Sequence, residues 1–140
     1  MARAGYYKGM RFDRIRQEEL VDNSGQVTAR VEQLEAGCPL GTGETAGGGL
    51  GYWLRHETNP EAGHAVGMVG ACRDEEADTG CSRFFILLAD SPHLNGHQAI
   101  FGKVTKGLDV AKAILKSSSE SGDAGKPPVL IQNAKAGSTR

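Results

Sequence analysis

From Arg83 to Leu88 the chain reads Arg-Phe-Phe-Ile-Leu-Leu. In an extended chain successive side chains point to opposite faces, so Arg83, Phe85 and Leu87 share one side and Phe84, Ile86 and Leu88 the other. An aromatic ring is therefore presented on each face. Similar runs at Tyr52 to Glu57 and Ala65 to Ala71 also read as strands, separated by polar or glycine-bearing turns. A Leu-Asn-Gly turn then leads to a further short strand, Ala99 to Val104, with His93 and Leu94 at its rim. Nearer the N-terminus, Phe12 to Leu20 and Gln26 to Leu34 flank Asp22-Asn23-Ser24-Gly25, a tetrad suited to closing a hairpin. Leu108, Ala111 and Ile114 recur every third residue and predict a helix over 108–115, with Asp109 favourably placed near its N-terminus. Ser117 to Lys126 is rich in serine and glycine, lacks periodicity and reads as a loop. Pro128 to Ala134 reads as a last strand, and Ala136 to Arg140 as a frayed tail.

Composition narrows the class without identifying it. A chain of 140 residues with 39% hydrophobic content suits one domain with one core, spanning residues 1–140. Sixteen basic residues stand against 17 acidic ones, which argues against a broad field for nucleic acid or an anionic membrane. No apolar run reaches membrane-spanning length, and Met1-Ala2-Arg3-Ala4-Gly5 lacks a secretory core. The expectation is a soluble, unexported, cytoplasmic chain.

Three cysteines, Cys38, Cys72 and Cys81, make reduced thiols the default, with a Cys72–Cys81 bridge as the alternative. The four histidines show no HxxxH or HExxH spacing, and no CxxC occurs, so neither a metal nor a cofactor is expected. Six glycines between Gly41 and Gly51 mark a loop; no lysine follows as a phosphate cradle requires.

The combination of motifs is more specific than any of these readings. Ser82-Arg83-Phe84-Phe85-Ile86, Pro92-His93-Leu94-Asn95-Gly96 and Phe101-Gly102-Lys103-Val104 stand in order, preceded by Tyr7-Lys8-Gly9-Met10-Arg11-Phe12-Asp13-Arg14-Ile15. Gly37-Cys38-Pro39-Leu40-Gly41-Thr42-Gly43 and Gly107-Leu108-Asp109-Val110 complete the set. The pattern resembles the cyclophilin peptidyl-prolyl cis-trans isomerases, over roughly Ala4 to Ala134. The resemblance implies a mainly β fold, an antiparallel β-barrel with one or two short helices. In the family the Tyr-Lys-Gly segment follows two strands and most of a helix. Here only six residues precede it, so the barrel is expected to lack its first two strands and to leave edges for the termini, a second copy or a partner subunit to cover. The wide spacing from Arg14 to Gly37 implies an enlarged hairpin, 16–34, beside the active site.

Residue by residue, the resemblance places the catalytic arginine at Arg14 and the proline pocket at Phe85 and Leu94. His93 stands where Trp or His is common, and Gln98 where a pocket histidine is found. Gly70 and Ala71 would line the groove that receives substrate backbone. The family's Phe-Met-x-Gln-Gly-Gly-Asp strand aligns with Glu32 to Cys38, so Glu32 and Gln33 replace two apolar pocket residues and Glu35 replaces a glutamine. The glutamine before the Phe pair becomes Arg83. These last two changes have opposite sign and suggest an ion pair in place of two amides, either between Glu35 and Arg83 or between Glu35 and Arg14.

Three functions remain open on the sequence. The first is isomerisation of Xaa-Pro bonds in proline-containing peptides or proteins, which assists folding and needs no metal, nucleic acid or membrane. The second is a peptide-binding module without useful turnover; the third is a structural subunit whose open edge a partner completes.

Overall fold

The computed structural model describes residues 1–43, 51–121 and 128–137, with side chains to residue 118 in its last helix. Most of the glycine-rich stretch, the 122–126 part of the expected loop with residue 127 after it, and the last three residues of the tail lie outside the described residues.

Five antiparallel strands form one sheet in the order β1-β2-β4-β3-β5: β1 Phe12–Val21, β2 Val27–Ala36, β3 Met68–Ala71, β4 Phe84–Leu87 and β5 Ile100–Lys103. One helix, α1 Leu108–Ser121, follows β5. The sheet is open, with β1 and β5 at its edges, and belongs to the expected mainly β, barrel class. Phe101 of β5 is 65% exposed.

The hairpin forms where the sequence places it. Asp22 Oδ1 accepts hydrogen bonds from the Ser24 and Gln26 amides at 2.8 and 3.0 Å and from the Ser24 hydroxyl at 2.6 Å, while Gly25 takes φ 83°. This is an aspartate turn followed by a residue in a conformation that glycine adopts without strain. Only Gln33 to Ala36 of β2 also pair with β4, so beyond them the hairpin is an arm of two strands.

Strict alternation sorts the core into two layers. Leu34 and Leu88 face α1, packing with Ala111 and Leu115 and with Phe12, Ile15, Ile86, Leu108 and Ile114 around them. Phe85, Leu87 and Cys72 form the opposite layer with Met68, Leu94 and Ile100. Leu34 and Leu87 are fully buried, each contributing roughly 1.5–3 kcal/mol of transfer free energy. The face assignment expected for Arg83 to Leu88 therefore holds.

Four elements differ from expectation. The helix runs to Ser121 rather than Leu115, and Ser117 bonds its hydroxyl back to the Ile114 carbonyl at 2.9 Å, so serine satisfies itself within the helix instead of ending it. Tyr52 to Glu57 contributes only an isolated bridge from Leu54 to Gly80, and Pro128 to Ala134 only one from Leu130 to Arg11. Both have strand-like composition, but neither builds a ladder among the described residues; the second is held against the start of β1 by Gly9–Ile131, Ile131–Met10 and Phe12–Val129 backbone bonds. The strand expected over Ala65 to Ala71 starts at Met68 instead, after Gly67 at φ 85°.

The N-terminus is anchored by a tyrosine. After a single 3-10 turn at Ala2–Ala4, Tyr7 packs edge-on against Tyr6 and Phe84 and donates its hydroxyl to the Ser82 carbonyl at 3.0 Å. Burial pushes its pKa up to about 12, with help from Tyr6 and Cys81. The Ser82 hydroxyl in turn donates to the Gly37 carbonyl at 2.7 Å. Gly37 lies at φ 100°, and a Cβ there would stand 2.5 Å from the Ser82 carbonyl oxygen, so only glycine permits this crossing of β2 and β4.

Candidate active site

The site is built on the face of the sheet away from α1, around a kink in β1. Phe12 pairs with Ala36 and Arg14 with Glu35, so Asp13 is an extra residue and the register slips there. A bulge of this kind bends the strand and re-aims its side chains. Two consecutive residues consequently reach the same cluster: Asp13 Oδ1 accepts from Arg83 Nη2 at 2.9 Å, and Arg14 Nη1 lies 3.9 Å from Glu35 Oε2.

Glu35 is the centre of this cluster. Its Oε2 accepts from Arg83 Nη2 at 2.7 Å and its Oε1 from Gln33 Nε2 at 2.7 Å. Asp13, Arg83 and Glu35 side chains are 0, 1 and 5% exposed, whereas that of Arg14 is 51% exposed. The ion pair expected between Glu35 and Arg83 is thus present, and Glu35 also approaches Arg14. Burial by itself would lower the Arg83 pKa, but its acidic neighbours, including both carboxylates, more than reverse this. The guanidinium stays charged. Arg14 makes no side-chain hydrogen bond among the described residues, and its donors face the pocket mouth with Glu35 as tether.

The loop after β2 closes over the root of Arg14. Asp13 Oδ2 accepts from the Cys38 amide at 3.3 Å. Gly43, at φ 75°, lies so close that a Cβ would come within 3.3 Å of the Asp13 carbonyl oxygen and 3.8 Å of Arg14 Nε. Cys38 occupies the family's aspartate position. Burial would raise its pKa, yet hydrogen bonds with Thr42, Leu40 and Gly43 leave it lowered, and its sulfur lies 3.6 Å from Thr42 Oγ1 within the loop.

Arg14, Arg16, Gln33, Glu35, Cys72, Arg73, Asp74, Arg83, Phe85, Leu94 and Gln98 enclose a pocket of about 140 Å³. Typical small-molecule sites occupy roughly 300–1,000 Å³, so this volume suits one side chain. Phe85 is 3% exposed and lies over Gly70 so closely that a Cβ there would be 2.1 Å from Phe85 Cζ. Leu94 comes from a 3-10 turn, Pro92–Leu94. Gln98 follows it, and its Oε1 is buried with no hydrogen-bond partner among the described residues. Arg73 ties this turn to its own loop, donating to the His97 carbonyl from Nε and Nη2 at 3.2 and 2.9 Å and to the Asp74 and Glu75 carbonyls from Nη1 at 2.8 and 2.9 Å. The pocket opens into a broad groove of about 1430 Å³ between Arg14 and Arg16 on one wall and Asp74, Glu75 and Glu76 on the other.

Most of the site residues expected from the sequence converge here: Arg14, Gln33, Glu35, Arg83, Phe85, Leu94 and Gln98. Four do not line the pocket. Glu32 neighbours Gln33 on an alternating strand and so takes the opposite face, opposite Gln17. Ala71 is the register partner of Phe84 and turns with it to the other side of the sheet; Cys72 lines the pocket instead. His93 lies on the same turn as Leu94 but is exposed and outside the lining. Gly70 contributes by admitting the Phe85 ring rather than by lining the groove.

Asp13, Arg16, Cys72 and Arg73 were not anticipated. Asp13 had a signal, since it replaces the histidine of the Phe-His-Arg-Ile motif. Arg16 binds Glu18 at 3.1 and 3.2 Å, which raises its pKa and lowers that of Glu18. Burial drives the Cys72 thiol far up, making it a neutral wall. All three cysteines are free thiols, so the Cys72–Cys81 bridge is not formed.

Comparison with known proteins defines the class that this fold and pocket represent. Residues 1–136 match the family of cyclophilin type peptidyl-prolyl cis-trans isomerases. The chain belongs to that family. It is 42% identical over 114 residues to peptidyl-prolyl cis-trans isomerase B of Bacillus subtilis, covering 80% of this chain and 67% of that protein. It is 34% identical over 120 residues to the peptidyl-prolyl cis-trans isomerase of Helicobacter pylori, covering 81% and 61%. The chain thus spans about two thirds or less of these relatives' lengths. Among solved structures, a cyclophilin type isomerase of Cryptosporidium parvum, crystallised in the presence of the dipeptide Ala-Pro, superposes with a TM-score of 0.67. The superposition covers 99% of this chain and 80% of that one at 23% identity, a likeness of fold. No helix among the described residues is long and apolar enough to cross a membrane.

Proposed function

We propose that this chain isomerises Xaa-Pro bonds in peptides and proteins, with Arg14 as the catalytic residue. The observation that carries the reading is a half-exposed guanidinium, tethered through Glu35, at the mouth of a side-chain-sized pocket containing Phe85 and Leu94.

Prolyl rotation is slow because amide resonance must be lost. Nothing covalent is made or broken. Raising a rate of about 10⁻² per second to about 10³ requires roughly 7 kcal/mol of transition-state stabilisation. A guanidinium N–H aimed at the prolyl nitrogen is strengthened as the lone pair localises in the twisted amide and weakened in both planar forms, which is the differential binding catalysis needs. Phe85 and Leu94 would hold the ring while the chain beyond it turns, and Gln98 would offer its amide to substrate backbone. Family membership and the Ala-Pro dipeptide with the Cryptosporidium protein support a proline-containing ligand.

The polar wall of Gln33 and Glu35 favours a second reading, a groove that binds proline peptides with little turnover. The β1 and β5 edges, which pair with no further strand among the described residues, are likewise where a partner subunit would add strands. A protease-coupled assay on an Ala-Pro peptide separates turnover from binding alone: the parent should accelerate isomerisation, and Arg14→Ala should lose at least tenfold in kcat/KM at unchanged circular dichroism. Equal rates for parent and variant would remove Arg14 from the reaction.

A further inference from the structure

We infer that Asp13 is a positioning residue for Arg14, acting at one remove through Arg83 and Glu35; the inference rests on the isomerase reading above. One nitrogen, Arg83 Nη2, serves both carboxylates, at 2.9 Å to Asp13 and 2.7 Å to Glu35. An NH₂ group has two protons, and here each carboxylate takes one. The Glu35 oxygen that accepts from Arg83 is the same one that stands 3.9 Å from Arg14. Asp13 therefore sets how strongly Arg83 holds Glu35, and so how Glu35 divides its charge between a buried arginine and the half-exposed one. Without the Asp13 charge, Arg83 loses one of the two carboxylates it holds and draws Glu35 towards itself, releasing Arg14.

The backbone makes this arrangement available. Asp13 precedes Arg14 directly, and two adjacent residues of a regular strand would face opposite sides; the bulge lets both reach one cluster. The other Asp13 oxygen holds the Cys38 amide, so the carboxylate also joins the loop that packs against the root of Arg14. The side chain is wholly buried and does not contact the pocket, which makes its action on a substrate indirect.

Asp13→Asn keeps the shape and removes the charge. Its kcat for an Ala-Pro peptide should fall about tenfold while KM changes less than twofold, because substrate-binding groups are untouched. If Asp13 acts through Glu35, then Asp13→Asn with Glu35→Gln should be no slower than Glu35→Gln alone by more than about twofold. A merely structural Asp13 would instead give losses that multiply, and that result, or full turnover by Asp13→Asn, overturns the inference. Should Asp13→Asn fold too poorly to assay, Arg83→Gln is compared with and without it: equal kcat supports the route through Arg83, and a further drop refutes it. A parent without turnover would defeat the isomerase reading yet leave the positioning testable by ¹⁵N relaxation of Arg14 Nε, whose order should fall in Asp13→Asn and whose invariance would count against the inference.

Discussion

Removing the Arg83 charge is the severest single perturbation the pocket offers. Arg83→Gln would leave Asp13 and Glu35 as two buried carboxylates, with Arg14 as the nearest cation, 3.9 Å from Glu35 and half in solvent. Breaking a buried pair by deleting one partner costs about 3–5 kcal/mol, a large part of the roughly 5–15 kcal/mol that holds a typical domain together. Glu35→Gln should cost less, about 1.5–3 kcal/mol for a charged hydrogen bond, because Arg83 keeps Asp13 at 2.9 Å. The double change Glu35→Gln with Arg83→Gln restores the two glutamines of the family pattern and looks neutral on the sequence. The structure says otherwise, since the Asp13 carboxylate would stay buried without its cation. Only the triple change, adding Asp13→Asn, removes every stranded charge and should recover most of the loss. Urea unfolding at constant m-value provides the measurement. A cost below about 1 kcal/mol for Arg83→Gln, or a triple variant less stable than that single one, would refute the account.

Two further outcomes follow from the packing. Gly70→Ala would drive a methyl group into the Phe85 ring, 2.1 Å from Cζ; overpacking of this kind should cost about 1–3 kcal/mol and raise KM for proline peptides, and a variant with parental stability and KM would show that the ring is free to move. Tyr7 has its folded pKa raised to about 12 from the ordinary 10, so its contribution is complete below pH 10 and lost as pH rises through 12, at most about 2–3 kcal/mol for two units. Alkaline denaturation followed at 295 nm should show tyrosine ionisation coinciding with unfolding, and Tyr7→Phe should flatten that pH dependence; an identical profile would contradict it.

What could be read from the sequence was whatever depends on local alternation or local turn chemistry. The two faces of β4, the Asp22 turn and the start of α1 at Leu108 belong to this kind, as does the opposite charge of Glu35 and Arg83. What depends on a neighbour was not legible. Tyr52 to Glu57 has a strand's composition, but a strand exists only where another chain segment meets its hydrogen bonds, and there Leu54 bridges to Gly80 while the His56 amide turns to the Asp78 carboxylate instead of a backbone. Asp13 escapes notice in the sequence for a related reason. Strict alternation sends it away from Arg14, and the bulge that brings it back has no signature beyond an unexpected acid in the motif. Glu32 shows the converse, because an ungapped motif alignment placed it in a pocket that simple alternation denies it.

The arm beyond Gln33 has a consequence of another sort. Among the described residues, Val27 to Val31 are bonded to β1 alone and share no layer with Phe85 or Leu94, so the arm can open while the rest of the sheet stays shut. Substitutions, or a change of length, between Glu18 and Val31 would then leave the Asp13–Arg83–Glu35 cluster in register. Its outer half is free to drift through sequence variation, and whatever the protein acquires by way of new contacts can be acquired there without renegotiating the pocket.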